Sequence, residues 1–294
     1  MNEQPSMEKL IERIVRMAAQ EADARPADAR TDAGSAGIKR APAGGIPARM
    51  PQTDSGVNIA AKDPDELARM KSKTNARIGV GKAGPRLKTS TLLRLRADHA
   101  SARDAVRTDV EQNVLDALGL DTVQTLCRDK NEFLTRPDLG RQFSPQTLER
   151  IKTITDAAPD VLIYASDGLS STAITANLPD ILPVLTDSLR AKGIRTGKPF
   201  FVKYGRVGAM DPISEATGAQ VTCVLIGERP GLATAKSVSA YIAYKATVGM
   251  PEARRTVVSN IHDAGTAAVE AGAYIADVIE LMLKEKKSGT DLRK

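Results

Sequence analysis

Residues 199–231 read PFFVKYGRVGAMDPISEATGAQVTCVLIGERPG, and this stretch decides the fold. Residues 200–207 are rich in β-branched and aromatic side chains, which predicts a strand. Asp211-Pro212 then reads as a helix start, with Asp as the cap and Pro at the first helical position. Gly218 suits the end of that short helix. Residues 221–226 form a continuous apolar run, the pattern of a strand covered on both faces. Both runs end in polar, glycine-containing turns, Tyr204-Gly205-Arg206 and Gly227-Glu228-Arg229-Pro230-Gly231. In an open α/β sheet ligands gather at the carboxyl ends of strands, so functional residues are sought at these turns.

The same alternation extends outward. Residues 161–165 predict a strand, and Ser166-Asp167-Gly168-Leu169-Ser170-Ser171 a turn into a helix. Ile181, Leu182, Leu185 and Leu189 mark the next helix, closed by Gly193. A helix over 232–248, a strand over 256–259 and a helix over 266–286 follow, the last with Val269, Ala273, Ala276, Ile279 and Leu283 in one stripe. Upstream, 123–126 predicts a short strand, 129–141 a polar loop, and Ser144-Pro145 a helix with Leu148, Ile151 and Ile154 inward. Strand–helix alternation of this kind predicts an α/β fold with a doubly wound, mostly parallel, Rossmann-like sheet over 121–294. Right-handed crossovers would place the strand-end turns on one edge.

A helical region over 57–120 precedes it. Asp63-Pro64-Asp65-Glu66 combines a cap, a Pro at N1 and a capping-box Glu, and opens a helix to about residue 75. Residues 89–110 predict a helix with Leu92, Leu93, Ala97 and Ala100 along one side. Between them Gly79-Val80-Gly81-Lys82-Ala83-Gly84 formally matches G-x-G-x-x-G, but a helix precedes it and Pro85-Arg86 follows, so the strand–turn–helix context of a dinucleotide site is missing. With Arg77, Lys82, Arg86 and Lys88 the loop could instead hold an anion or a partner surface. Residues 1–20 contain an amphipathic helix with Met7, Leu10, Ile11, Ile14, Val15 and Ala18 at helical spacing. Residues 21–56, rich in Ala, Pro, Gly, Asp and Arg, lack the apolar surface to offset their ordering entropy and read as a disordered linker. The helix either docks on something through this tether or packs on its own domain.

Composition narrows the function. The 294 residues carry no Trp and only 3% aromatics, so the core must be aliphatic. Cys127 and Cys223 sit inside apolar runs and read as buried, reduced thiols. No apolar run approaches the ~20 residues of a membrane span, and no secretory h-region appears; an intracellular protein is expected. The net charge of +6 comes from 42 basic residues interspersed with 36 acidic ones, without a long basic run. This predicts a mixed surface that meets an acidic protein partner rather than nucleic acid. The strand-end set is Asp167, Arg206, Glu228 and Asn260, with Gly168, Gly205 and Gly227 permitting close backbone approach. It suits a large polar ligand. With only His99 and His262 and no nucleophile elbow, metal cluster or Ser-His-Asp spacing, no catalytic or metal-ligating residue is predicted.

Several separated strings carry a resemblance: PFFVKYGRVGAMD, IGERPG, SDGLS at Ser166, SAYIAYKATVGMPEARRT, SNIH at Ser259, TRPDLGR at Thr135 and RIGVGKAGPR at Arg77. Taken in their order along the chain, they resemble the small subunit of ethanolamine ammonia-lyase over about residues 70–294. The resemblance implies a heteromeric, adenosylcobalamin-dependent lyase that converts ethanolamine to acetaldehyde and ammonia. A large TIM-barrel subunit holds the substrate and the radical chemistry, and the small subunit covers the corrin from the other side. It implies cobalamin contacts at Val207, Glu228 and Val257, the last at a position where some relatives have Cys. The Asp-x-His-x-x-Gly motif of base-off cobalamin domains is absent, so His262 is not expected to ligate cobalt. The chain alone is expected to be inactive. It further implies a bacterial cytoplasmic enzyme, with residues 1–20 as a contact to a microcompartment shell or cargo. The rival reading is a free-standing nucleotide-binding protein of Rossmann-like fold.

Overall fold

The computed structural model describes residues 61–74, 76–155 and 158–292. The helix expected within 1–20 and the linker over 21–56 lie outside the described residues. The described residues belong to one compact unit.

In chain order its elements begin with helix α1 (Pro64–Ser72), a hairpin of β1 (Lys82–Ala83) and β2 (Arg86–Leu87), and helices α2 (Thr89–Arg107) and α3 (Gln112–Ala117). Then come β3 (Asp121–Gln124), α4 (Lys130–Thr135), α5 (Pro145–Thr155), β4 (Val161–Ser166), α6 (Ser171–Ala191), β5 (Phe200–Lys203) and α7 (Met210–Thr217). The chain ends with β6 (Val221–Gly227), β7 (Val238–Tyr244), β8 (Thr256–Ile261) and α8 (Ala268–Glu285).

Local chemistry sets many of these boundaries. Asp63 caps α1 by accepting from Glu66 N at 2.9 Å, with Pro64 at the first position. The Glu66 carboxylate turns to Arg69 instead of back to the cap, so only half of the expected capping box forms, and α1 stops at Ser72. Ser170 caps α6, accepting from Ala173 N. Gly218 closes α7 in the left-handed region at φ 68°. Two expectations at α7 fail. The strand before it ends at Lys203, because Tyr204 takes φ 60° and turns the chain. Asp211 is not the cap either: the helix already starts at Met210, and the Asp211 carboxylate is buried against Arg255, which donates from Nη2 at 2.8 Å to both oxygens.

Strands β3 to β8 form one six-stranded sheet in the order β3-β5-β4-β6-β7-β8. The pairs β3/β5, β5/β4 and β4/β6 are parallel, and β6/β7 and β7/β8 are antiparallel. The fold is therefore mixed α/β with a mostly parallel sheet. One face packs under α6 and α8 through Ile174, Ile181, Leu185, Ile275 and Ile279. The other packs under α5 and α7 through Ile151, Met210 and Ile213. Every residue of β4 and β6 is buried, as their unbroken apolar runs require.

The helix expected over 232–248 is not formed; β7 stands in its place. The reason is a period of two. Val238, Ala240 and Ile242 belong to the core under α6 and α8, while Tyr241 and Ala243 belong to the core on the opposite face. Val238, Tyr241, Ile242 and Tyr244 add β-branched and aromatic side chains, and the ten residues from Glu228 to Ser237 join β6 to β7 as an antiparallel connection with no crossover helix. The polar loop expected over 129–141 contains α4, capped by Asp129 through Glu132 N at 2.9 Å.

Candidate functional site

The carboxyl ends of β4 and β5 meet at Asp167, which is 1% exposed. Its Oδ1 accepts from Tyr204 N at 2.8 Å, and its Oδ2 accepts from Lys130 Nζ at 3.0 Å. Burial pushes this carboxyl up, against the opposing pull of the Lys130 ammonium and the Tyr204 amide. Lys130 also lies 3.5 Å from Asp109, which pairs with Lys203 at 3.0 Å. Lys130 Nζ sits 5.2 Å from the centre of the Tyr204 ring and 5.6 Å from that of Phe133. Arg206 donates to Phe133 O at 2.7 Å and stacks its guanidinium 4.1 Å from the Phe133 ring centre. Helix α4 thus lies over this edge of the sheet. Asp167 and Arg206, expected to face a ligand, are instead engaged with the chain's own α4, because Lys130 and Phe133 supply the charge and the apolar surface that a ligand would have brought.

The end of β6 is different. Glu228 is half-buried. Its Oε1 accepts from Ser239 Oγ and, at 3.0 Å, from Asn260 N, while its own N–H donates to Ser237 O at 2.9 Å. Burial alone would raise the carboxyl; the Ser239 and Asn260 hydrogen bonds outweigh it and hold the group below the ordinary glutamate range. The Ser237 hydroxyl stands near enough to lower it further, yet has no partner at hydrogen-bond geometry and is buried. No ion pair joins Glu228 to Arg229 among the described residues.

Register places the other two candidates on the same side. Ser239 and Tyr241 are two apart on β7 and share a face, the one that packs toward α5 and α7. Val257 on β8 is directly opposite Tyr241, so its side chain points to that face too; it is 44% exposed. Val207, in a short 3-10 turn between β5 and α7, packs against the same core. Beside it Arg206 Nε is buried without a hydrogen-bond partner. Val207, Glu228 and Val257 therefore all belong to one side of the sheet, flanked by two unpartnered polar atoms.

Asn260 takes φ 62° at the end of β8 and fixes His262: the imidazole Nε2 bonds Asn260 Oδ1 at 2.8 Å, and Nδ1 accepts from Ala264 N at 3.2 Å. That pattern makes the ring the Nε2–H tautomer with both nitrogens engaged. Sequence reasoning missed Ser237, Ser239 and Tyr241 because their segment read as a helix; alternation over 238–244 is the signal that puts Ser239 and Tyr241 beside Glu228. Among the described residues no His, Cys, Asp or Glu group could hold a metal ion, and no helix is long and apolar enough to cross a membrane. Cys127 and Cys223 are buried and free, and burial pushes the Cys223 thiol up to about 12. The Gly79–Gly84 segment forms part of the β1/β2 hairpin, outside the main sheet.

Residues 64–293 match the family model "Ethanolamine ammonia-lyase light chain (EutC)". The chain is 60% identical over 252 residues to the ethanolamine ammonia-lyase small subunit of Clostridium tetani, covering 85% of each chain. It is 57% identical over 231 residues to that of Clostridium perfringens, covering 79% of this chain and 78% of the relative.

The chain belongs to the ethanolamine ammonia-lyase small-subunit family.

The small subunit of Listeria monocytogenes is 53% identical over 231 residues, 79% of either chain. The family match opens at Pro64, the first residue of α1, and so includes the α1–α2 region, the whole sheet and all three candidate contacts.

Proposed function

We propose that this chain acts as the small subunit of an ethanolamine ammonia-lyase, which converts ethanolamine to acetaldehyde and ammonia with adenosylcobalamin, and that it holds the coenzyme against a large catalytic subunit. The observation that carries the reading is the set of polar groups on one side of the β6–β8 sheet. The Glu228 carboxylate is preset there by Ser239 and Asn260, and Ser237 Oγ is buried without a partner. A corrin rim carries amide side chains, which donate to carboxylates and hydroxyls; the residues present fit it. Glu228 would hold the rim by hydrogen bonds, and Val207 and Val257 would supply apolar contact. When bound, the coenzyme supplies the radical chemistry, and the protein supplies binding and orientation. The Glu228 carboxylate is already committed to Ser239 and Asn260, so the chain's part is to hold and orient the coenzyme and to exclude water.

The strand order and the helices on both faces support reading the sheet as doubly wound and Rossmann-like. A cytoplasmic enzyme, with residues 1–20 as a docking segment for a microcompartment, belongs to the same proposal. The test is reconstitution. The purified chain with adenosylcobalamin should release no acetaldehyde from ethanolamine, and the chain with its large subunit should. Turnover by the isolated chain would overturn the division of labour.

A further inference from the structure

The chain's positive charge is concentrated in one region. Residues 61–107 contain twelve Lys or Arg and five Asp or Glu. The remaining residues contain thirty basic and thirty-one acidic ones, from totals of 42 and 36. The whole net charge therefore resides in the segment of α1, the β1/β2 hairpin and α2.

Within it α2 is mounted the reverse of what its pattern suggests. The apolar stripe Leu92, Leu93, Ala97 and Ala100 along one side of the helix is exposed. The helix packs instead through Thr91, Ala102 and Ala105, with Leu95, Asp98 and Val106 half-buried beside them. At 100° per residue these inward residues lie on the opposite side from Leu92, Leu93, Arg96, Ala100, Arg103 and Arg107. Leu93 is 58% exposed and Leu92 39%. Among the described residues Arg96, Arg103 and Arg107 make no ion pair, whereas Arg77 on the neighbouring loop is paired with Asp98 and anchored to Leu232 O.

We propose that this outward face of α2 is a docking surface for an acidic, apolar-floored groove on the large subunit, a proposal that rests on the family reading above. Leucines flanked by arginines at i, i+3, i+4 and i+7 spacing are the anchors of helix-in-groove recognition. Arg is enriched and Lys depleted in interface cores, and this face carries three Arg and no Lys. Its charge selects the partner: two copies of the face would repel, and an acidic groove would both steer the encounter and satisfy the guanidiniums. The surface lies on α2, outside the β6–β8 sheet that carries Glu228, so docking and coenzyme contact are separable.

The experiment uses the full chain mixed with the large subunit. Leu93→Glu and the triple variant Arg96→Glu/Arg103→Glu/Arg107→Glu alter only exposed side chains. Each should keep the wild-type circular-dichroism melt. Assembly should weaken at least about tenfold for Leu93→Glu and about 100-fold for the triple, and wild-type assembly should weaken as salt rises. As a second measure, Leu93→Cys adds one accessible thiol to a chain whose own two cysteines are buried. Its alkylation by a maleimide should be at least about tenfold slower in the complex than in the free chain, as expected for a side chain removed from solvent. Wild-type assembly of all variants, or an unprotected thiol in an active complex of Leu93→Cys, overturns the proposal and leaves the family reading intact. Failure of the wild-type chain to assemble overturns both. Salt-sensitive capture of a random RNA oligonucleotide by the wild-type complex, lost in the triple variant, reassigns the face to nucleic acid and also overturns it.

Discussion

Replacing Glu228 separates its two roles. In the fold its Oε1 accepts from Ser239 Oγ and Asn260 N, and so ties the end of β6 to β7 and to the end of β8. Glu228→Ala leaves the Asn260 amide without its acceptor, which costs about 1–3 kcal/mol when the group is buried and less here, where Asn260 is exposed. For a domain of this size that is a shift of a few degrees in melting temperature, at about 2–4 °C per kcal/mol. Toward the coenzyme, a hydrogen bond to a charged group is worth about 1.5–3 kcal/mol, so affinity should fall roughly 10- to 150-fold. Glu228→Gln keeps an oxygen for Asn260 N and loses the charge. It should therefore melt near wild type while binding more weakly than wild type and more tightly than Glu228→Ala. The assay is a spectroscopic cobalamin titration of the assembled complex, with a thermal melt of each variant beside it. Lower stability with unchanged affinity in Glu228→Ala would make the residue a strand tie only and refute its role at the corrin.

Other expectations follow from the same geometry. Asp167→Ala removes the buried partner of Lys130 and the acceptor of Tyr204 N; a urea titration should show a loss of about 3–5 kcal/mol, and Asp167→Asn should lose less, since it keeps an oxygen for Tyr204 N and Lys130 keeps Asp109. The Asp167 carboxyl is raised in the fold, so its contribution is full below the unfolded value of about 3.9 and is lost as pH rises through the folded value. The stability advantage of wild type over Asp167→Asn should therefore shrink from about pH 4 upward, and urea midpoints that stay parallel across that range would contradict the raised carboxyl. Deleting residues 1–55, which lie before the family match, should leave lyase activity of the reconstituted complex largely intact, as an initial-rate assay would show.

The sheet was legible where one period held without competition. The apolar runs over 161–165 and 221–226 could only be strands covered twice, and Gly218 could only close a helix, so these boundaries hold to within a residue. Legibility failed where two periods overlap. Residues 238–244 place apolar or aromatic side chains at both helical and strand spacing, and only pairing with β6 selects the strand. Asp211-Pro212 failed for a different reason: a distant residue, Arg255, claims the carboxylate that local chemistry would assign to the cap. The candidate site was half legible. Glu228 followed from its place after β6. Asn260 followed likewise from its place near the end of β8, but that its amide and the Ser239 hydroxyl both meet the Glu228 carboxylate follows only from the pairing of β6, β7 and β8.

The engagement of Asp167 bears on the proposal that this chain holds rather than reacts. A carboxyl raised by burial at a strand end is the usual position for a general acid or base. Here Lys130 and Tyr204 N each engage one of its oxygens, and its exposure is 1%. The raised carboxyl is the cost of closing the sheet edge, not a poised proton donor. What remains open is the opposite portion of the sheet, where β7 and β8 run antiparallel and neither α5 nor α7 covers Val257. Adding two antiparallel strands beyond the parallel core leaves a sheet face wider than its helices. That uncovered margin, with a carboxylate fixed at its end, can take one side of a large planar ligand while a second subunit takes the other.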